Sequence, residues 1–175
     1  MSSEPAGFRE FVEARSAALL RTAWMLTGNA ATAEDLLQTA LARTWPHWHR
    51  IADGGHPEAY VRKVMVRLNS RRLSRRWNGE RPSDGVGLLP ALDPAMDRDD
   101  HGQIDDRLVL LEALTTLPLR QRQAVVLRYF DDLSVDAVAE IMNSSTGTVK
   151  SQTSKGLAKL RSALAAKSLV EQEES

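Results

Sequence analysis

Apolar residues recur at helical spacing through two long stretches of the chain and lose all period between them. Phe8, Phe11, Val12, Leu19, Ala23 and Leu26 predict a helix over residues 8–26, which Gly28-Asn29 stops. A second helix carries Leu36, Leu37, Ala40, Leu41 and Trp45 on one face. Its start reads Thr32-Ala33-Glu34-Asp35, the form of a capping box with Thr32 at the N-cap, and Pro46 marks its end. Residues 47–56 read as a loop turning at Asp53-Gly54-Gly55. Pro57 suits the first turn of a third helix, where its missing N–H costs nothing. That helix runs to about residue 77, with Tyr60, Val61, Val64, Met65 and Leu68 as its buried stripe.

Residues 79–103 hold Pro82, Gly85, Gly87, Pro90, Pro94 and Gly102 without a sustained period. Structureless stretches of that length are uncommon inside one compact domain, so the segment reads as a linker. Helical patterning then returns. Leu108, Leu111 and Leu114 face inward over 105–116, and Pro118 opens a helix that carries Val125, Val126, Leu127 and Tyr129 and ends at Asp131-Asp132. Ser134 caps a short helix over 135–142, and Ser145 caps a longer one over 146–166. No strand signal occurs. The expected fold is all-α: two small helical domains, 1–78 and 105–175, joined by a flexible acidic linker, 79–104.

Within the second domain, three residues stand at the offsets of a helix-turn-helix. That motif needs a small residue where its helices cross, then a residue tolerant of positive φ in the tight turn four positions later. An aliphatic lock follows six positions further on. Ala139, Asn143 and Val149 occupy those places, and Asn is, after Gly, the residue most tolerant of the left-handed conformation. Val138, Ile141, Met142, Leu157 and Leu160 supply apolar support. The second helix of the motif then offers Thr146, Thr148, Lys150, Ser151, Ser154 and Lys155, hydroxyls and ammonium groups suited to base edges and phosphates in a major groove. The last helix of the first domain is expected to hold a second nucleic-acid surface through Arg62, Lys63, Arg67, Arg71 and Arg72.

Composition sharpens this picture only through its distribution. Net charge is zero over 175 residues. Yet residues 60–81 hold eight cationic side chains and one anionic, and residues 83–106 hold seven anionic and one cationic. A dense basic block beside a dense acidic one fits a polyanion-binding surface next to a self-shielding linker. The chain has no Cys, which excludes disulfides, a thiol nucleophile and thiolate zinc sites. His47, His49 and His56 lie in the predicted loop with no carboxylate–histidine pair at helical spacing, so neither a metal nor any other cofactor is expected. Residues 1–7 show no secretory signal, and no apolar run is long enough for membrane insertion, so a cytoplasmic location is expected. No phosphate-cradling glycine loop and no nucleophile–base set is recognisable, which argues against an enzyme.

Residues 114–133 read LTTLPLRQRQAVVLRYFDDL, with Leu117-Pro118, Arg120, Arg122 and Leu127-Arg128-Tyr129, and Gly147-Thr148-Val149-Lys150-Ser151 follows. This strongly resembles the fourth conserved region of the extracytoplasmic-function (ECF) sigma factors of bacterial RNA polymerase. Ala33-Glu34-Asp35-Leu36-Leu37-Gln38, ending at Trp45, resembles the second region, as do Pro57-Glu58-Ala59-Tyr60-Val61-Arg62 and the Arg-rich run after them. The resemblance covers residues 8–164 in the family's order. Two departures stand out: Thr39 where the family commonly has Glu, and Arg67 where it often has Asn, with Asn69 two residues later.

The resemblance implies a factor that binds core RNA polymerase, through the β′ clamp helices and the β flap, and directs promoter-specific initiation. Asp35, Leu36, Gln38 and Trp45 would form the polymerase contact. Helix 57–77 would neutralise phosphate and hold the melted minus-ten strand, with Arg67 or Asn69 touching it and a flipped base against residues 50–56. The 146–166 helix would read the minus-thirty-five element. Partners would be core polymerase and promoter DNA, with an anti-sigma factor as a further one. A dimeric helix-turn-helix regulator of another kind would account for the second domain and leave the motifs of the first unexplained.

Overall fold

The computed structural model describes residues 4–77 and 101–173; residues 79–100 of the linker expected at 79–104 lie outside them, and 101–104 belong instead to a helix that starts four residues before the expected 105. Every element among the described residues is helical. Helix α1 (Phe8–Thr27) ends at Gly28 with φ 71°, a conformation that favours glycine. Helix α2 (Ala30–Thr44) starts two residues before the predicted Thr32. Its N-cap is Asn29, whose Oδ1 accepts from the Thr32 amide at 3.0 Å. Asn and Thr are both good caps, and the capping-box spacing favoured the wrong one.

The predicted 47–56 loop is instead largely helical. A 3-10 turn (Trp45–His47) leads into a short helix, α3 (Trp48–Asp53). The reason is apolar burial: Trp48 and Ile51, three residues apart, are both buried. Trp48 lies edge-on to Phe8 and donates from Nε1 to the Ala6 carbonyl at 2.9 Å. Helix α4 (Pro57–Trp77) follows.

In the second half α5 (His101–Thr115) and α6 (Leu119–Val125) lead into a π-helical turn (Val126–Phe130). Helix α7 (Val135–Met142) has Ser134 as its cap, Oγ accepting from the Ala137 amide at 3.1 Å. Helix α8 (Thr146–Glu173) runs beyond the predicted residue 166. It lies against α6 at Gly156, where an added Cβ would sit 2.7 Å from Val125 Cγ2 and 3.1 Å from the Gln121 carbonyl oxygen.

Two apolar clusters result, and each borrows from the other half of the chain. The first joins α1, α2 and α4 through Leu19, Ala23, Leu36, Leu37, Val61 and Met65, with Leu111 of α5 packed on it. The second joins α5 through α8 and takes in Leu26 of α1 and Val66 of α4. The helical halves are therefore docked on each other.

Candidate nucleic-acid interface

The helix-turn-helix is built as the spacing requires. Ala139 and Val149 are buried, and Asn143 adopts φ 50°, ψ 54° between α7 and α8. The amide of Ser144 returns to the Ala139 carbonyl at 2.9 Å, closing the end of α7. Arg120 reaches across to donate to the Met142 carbonyl at 3.0 Å, a second closure of the same helix end. At the start of α8, Ser145 Oγ accepts from the Thr148 amide at 3.1 Å and donates to the Thr148 hydroxyl at 2.9 Å. Thr146, Thr148, Lys150, Ser151, Ser154 and Lys155 are all exposed. Lys159 and Arg161, which sequence reasoning did not single out, add exposed cations further along α8.

The basic helix α4 is divided. Arg67 and Arg71 are exposed, and Arg72 is half-buried beside Asp35, its Nη1 3.2 Å from Oδ2. Lys63 lines a cavity between α3, α4 and α7. Arg62 and Asn69 are buried, at 8% and 2% exposure. Arg62 donates from Nε to Asp131 Oδ2 at 3.0 Å and pairs through Nη2 with Glu58 at 2.7 Å. Asn69 donates to the Leu26 carbonyl at 3.5 Å. In this arrangement neither side chain faces solvent, so of the two candidates for the melted strand only Arg67 does.

The four residues expected to meet the polymerase are not on one surface. Asp35 and Gln38 are exposed, but Leu36 is 3% exposed and belongs to the first cluster. Trp45 is half-buried, edge-on to Phe8 with centroids 4.9 Å apart. Leu36 is buried where the apolar period places it, so Asp35 and Gln38 are the exposed members of the set.

The residues that join the two halves were not anticipated. Asp131, just after the π-helical turn, accepts from the Thr22 hydroxyl at 2.6 Å as well as from Arg62. Burial pushes its carboxyl above the usual range, against the opposing pull of Thr22 and Arg62. Arg122 donates to the Leu26 carbonyl at 3.0 Å and to the Thr115 carbonyl at 2.8 Å, and burial lowers its pKa. Gln123, fully buried, donates to Ser70 Oγ at 3.0 Å. Among the described residues no three His, Asp or Glu side chains are grouped to hold a metal ion. No described helix is long and apolar enough to cross a membrane.

Comparison with known proteins follows the same division. Residues 11–79 match the family profile of sigma-70 region 2, and residues 107–160 match that of sigma-70, region 4. The chain is 38% identical over 162 residues to the RNA polymerase sigma-E factor of Streptomyces coelicolor, which spans 93% of this chain and 88% of that protein. It is 31% identical over 155 residues to the ECF RNA polymerase sigma factor SigL of Mycobacterium tuberculosis, covering 86% of this chain and 85% of SigL. In structure it resembles the sigma factor RpoE, seen in complex with the anti-sigma factor NepR from Bartonella quintana. The TM-score is 0.71 at 25% identity, over 90% of this chain and 96% of that one. With both regions matched in order, and named members alike over most of their length, the chain belongs to the ECF family of RNA polymerase sigma factors, which direct transcription initiation.

Proposed function

We propose that the chain acts as two DNA-reading modules, 1–78 and 105–175, tethered by 79–104, that bring core RNA polymerase to promoters carrying minus-ten and minus-thirty-five elements. The observation that carries this reading is the exposed hydroxyl and ammonium face of α8 on a helix-turn-helix, beside a second basic helix in the same chain. Tethering lets two modest affinities multiply through effective concentration. Lys150 and the first turn of α8 read base edges, and Lys155 holds phosphate. Arg67, Arg71 and Lys63 neutralise phosphate near the minus-ten element, and bases held single-stranded there stabilise the open complex without ATP.

Asp35 and Gln38 form the exposed part of a contact with the β′ clamp helices, while Leu36 and Trp45 shape it from beneath. The second module meets the β flap. The role needs no covalent chemistry, cofactor or metal from this chain, and it places the protein in the cytoplasm with the polymerase. An anti-sigma protein is a further partner, by analogy with the RpoE–NepR complex. The test is transcription by purified core polymerase on sheared genomic DNA from the source organism, with start sites sequenced. Adding the chain should produce a new set of starts sharing two motifs at fixed spacing. Starts unchanged from core alone would refute the reading.

A further inference from the structure

Helix α8 is much longer than the part of it that reads. The proposed reading rests on residues 146–155, yet the helix continues to Glu173. No Asp or Glu occurs from residue 141 to residue 170, in a chain that holds 23 of them. A helix face exposed only to water is commonly laced with carboxylate–ammonium pairs at i, i+4. On α8 Lys150, Lys155, Lys159 and Arg161 have no such neighbour, and all four are exposed.

The packing of α8 fixes where these charges point. At about 100° per residue, the buried residues Val149, Thr153, Gly156 and Leu160 fall along one line. The line opposite holds Gly147, Ser151, Ser154, Ala158 and Ser162, all exposed and none larger than serine. The cations stand on the two flanks, about 75° to either side of that crest. Lys150 and Arg161 form one flank, Lys155 and Lys159 the other. Leu160, buried between Lys159 and Arg161, anchors the turn that carries both.

A helix about 10–12 Å across fills a major groove about 12 Å wide, so long side chains on its leading edge hold it off the floor. Small ones let it seat deeply, and cations on both flanks then face both phosphate walls. We propose that α8 is a groove-seated wedge whose grip extends past the helix-turn-helix. Lys159 and Arg161 hold two different phosphates, one on each wall, and Ala158 beside them must stay small. This rests on the DNA-binding reading of α8 and deepens it, since the motif's spacing assigns none of these three residues.

The crest is exposed with the two halves docked, so the full-length chain serves for the test. Its partner is a fluorescein-labelled 30-base-pair duplex of mixed sequence, because phosphate contacts carry no sequence. Anisotropy titrations over a series of salt concentrations give the salt slope. Lys159→Ala and Arg161→Ala should each lower it by roughly one unit, and the pair together by roughly two. Arg43→Ala, which removes an exposed cation from α2, should leave it unchanged. Unchanged slopes in the single variants, or a pair that loses no more than either alone, would overturn the two-phosphate grip. Ala158→Leu should bind at least tenfold more weakly with an unaltered thermal midpoint, because an exposed helix position accepts leucine readily. Equal binding would overturn the wedge, and no binding of the duplex by the wild type would overturn both. Start sites directed by the wild-type chain with core polymerase test the sigma-factor reading separately, and they would survive a failure of the wedge.

Discussion

Asn143 shows how one residue can carry a motif. Its φ of 50° lies in the left-handed region, where a side-chain Cβ crowds the following carbonyl and non-glycine residues are strained by roughly 1–2 kcal/mol. Asn tolerates the conformation because its short amide can bond locally, whereas a β-branched residue cannot. Asn143→Val should therefore lower unfolding free energy by about 1–2 kcal/mol, and Asn143→Gly should change it little. Urea denaturation of the two variants checks this, and equal stability would show that the turn is not held in this conformation. The residue scale is also where motif reading was least secure. The capping-box spacing pointed to Thr32, but the cap belongs to Asn29, and the exposed Asp35 of the same box pairs with Arg72.

At the scale of elements, α8 both packs and reads, and the two tasks make separate predictions. Gly156 faces α6, where the Gln121 carbonyl is backbone and cannot swing aside. Helix propensity alone favours Gly156→Ala by about 1 kcal/mol. Overpacking of a close helix crossing costs typically about 1–3 kcal/mol, so the substitution should destabilise on balance. Thermal unfolding decides the sign, and a raised midpoint would show that α8 can shift freely. On the opposite side, Lys150→Ala should lose ~1–3 kcal/mol of binding concentrated at one base pair of the minus-thirty-five element. Lys155→Ala should weaken binding to all sequences alike and lower the salt slope by roughly one unit. Titration of the promoter fragments identified by transcription, at two salt concentrations, separates these behaviours. Undiminished binding by the double variant would remove α8 as the reading head.

For the whole molecule, Asp131 ties docking to pH. Burial raises its pKa in the closed arrangement, with Thr22 of α1 and Arg62 of α4 pulling it down and Glu58 of α4 pushing it up. On opening, the carboxyl returns toward the usual carboxylate range. The closed form then binds the proton more tightly. Its advantage is full below the open-state pKa and is lost as pH rises through the higher closed-state value. Mild acid should therefore favour closure. Energy transfer between dyes placed on α2 and α8 should rise as pH falls over that window, and Asp131→Asn should flatten the response. A response unchanged in Asp131→Asn would assign it to another group.

The sequence by itself determined most of the helices, their faces and the helix-turn-helix, because these follow from short-range rules: apolar period, caps and one residue tolerant of positive φ. It also showed the exposed chemistry of α8, whose polar positions fall where Val149 does not. The basic block on α4 was legible as charge, but not the fate of each charge. Arg62 and Asn69 lie on the same helix as Arg67 and Arg71, and nothing local distinguishes the buried pair from the exposed one. Only tertiary structure decided that: Asp131, 69 residues away, holds Arg62, and the Leu26 carbonyl, 43 residues away, accepts from Asn69. The short helix α3 was hidden for a related reason: Trp48 and Ile51 are too brief a stripe to announce a helix until Phe8 supplies the surface they bury against. Partners distant in sequence leave no period to read. Their meeting is set by how the two clusters dock.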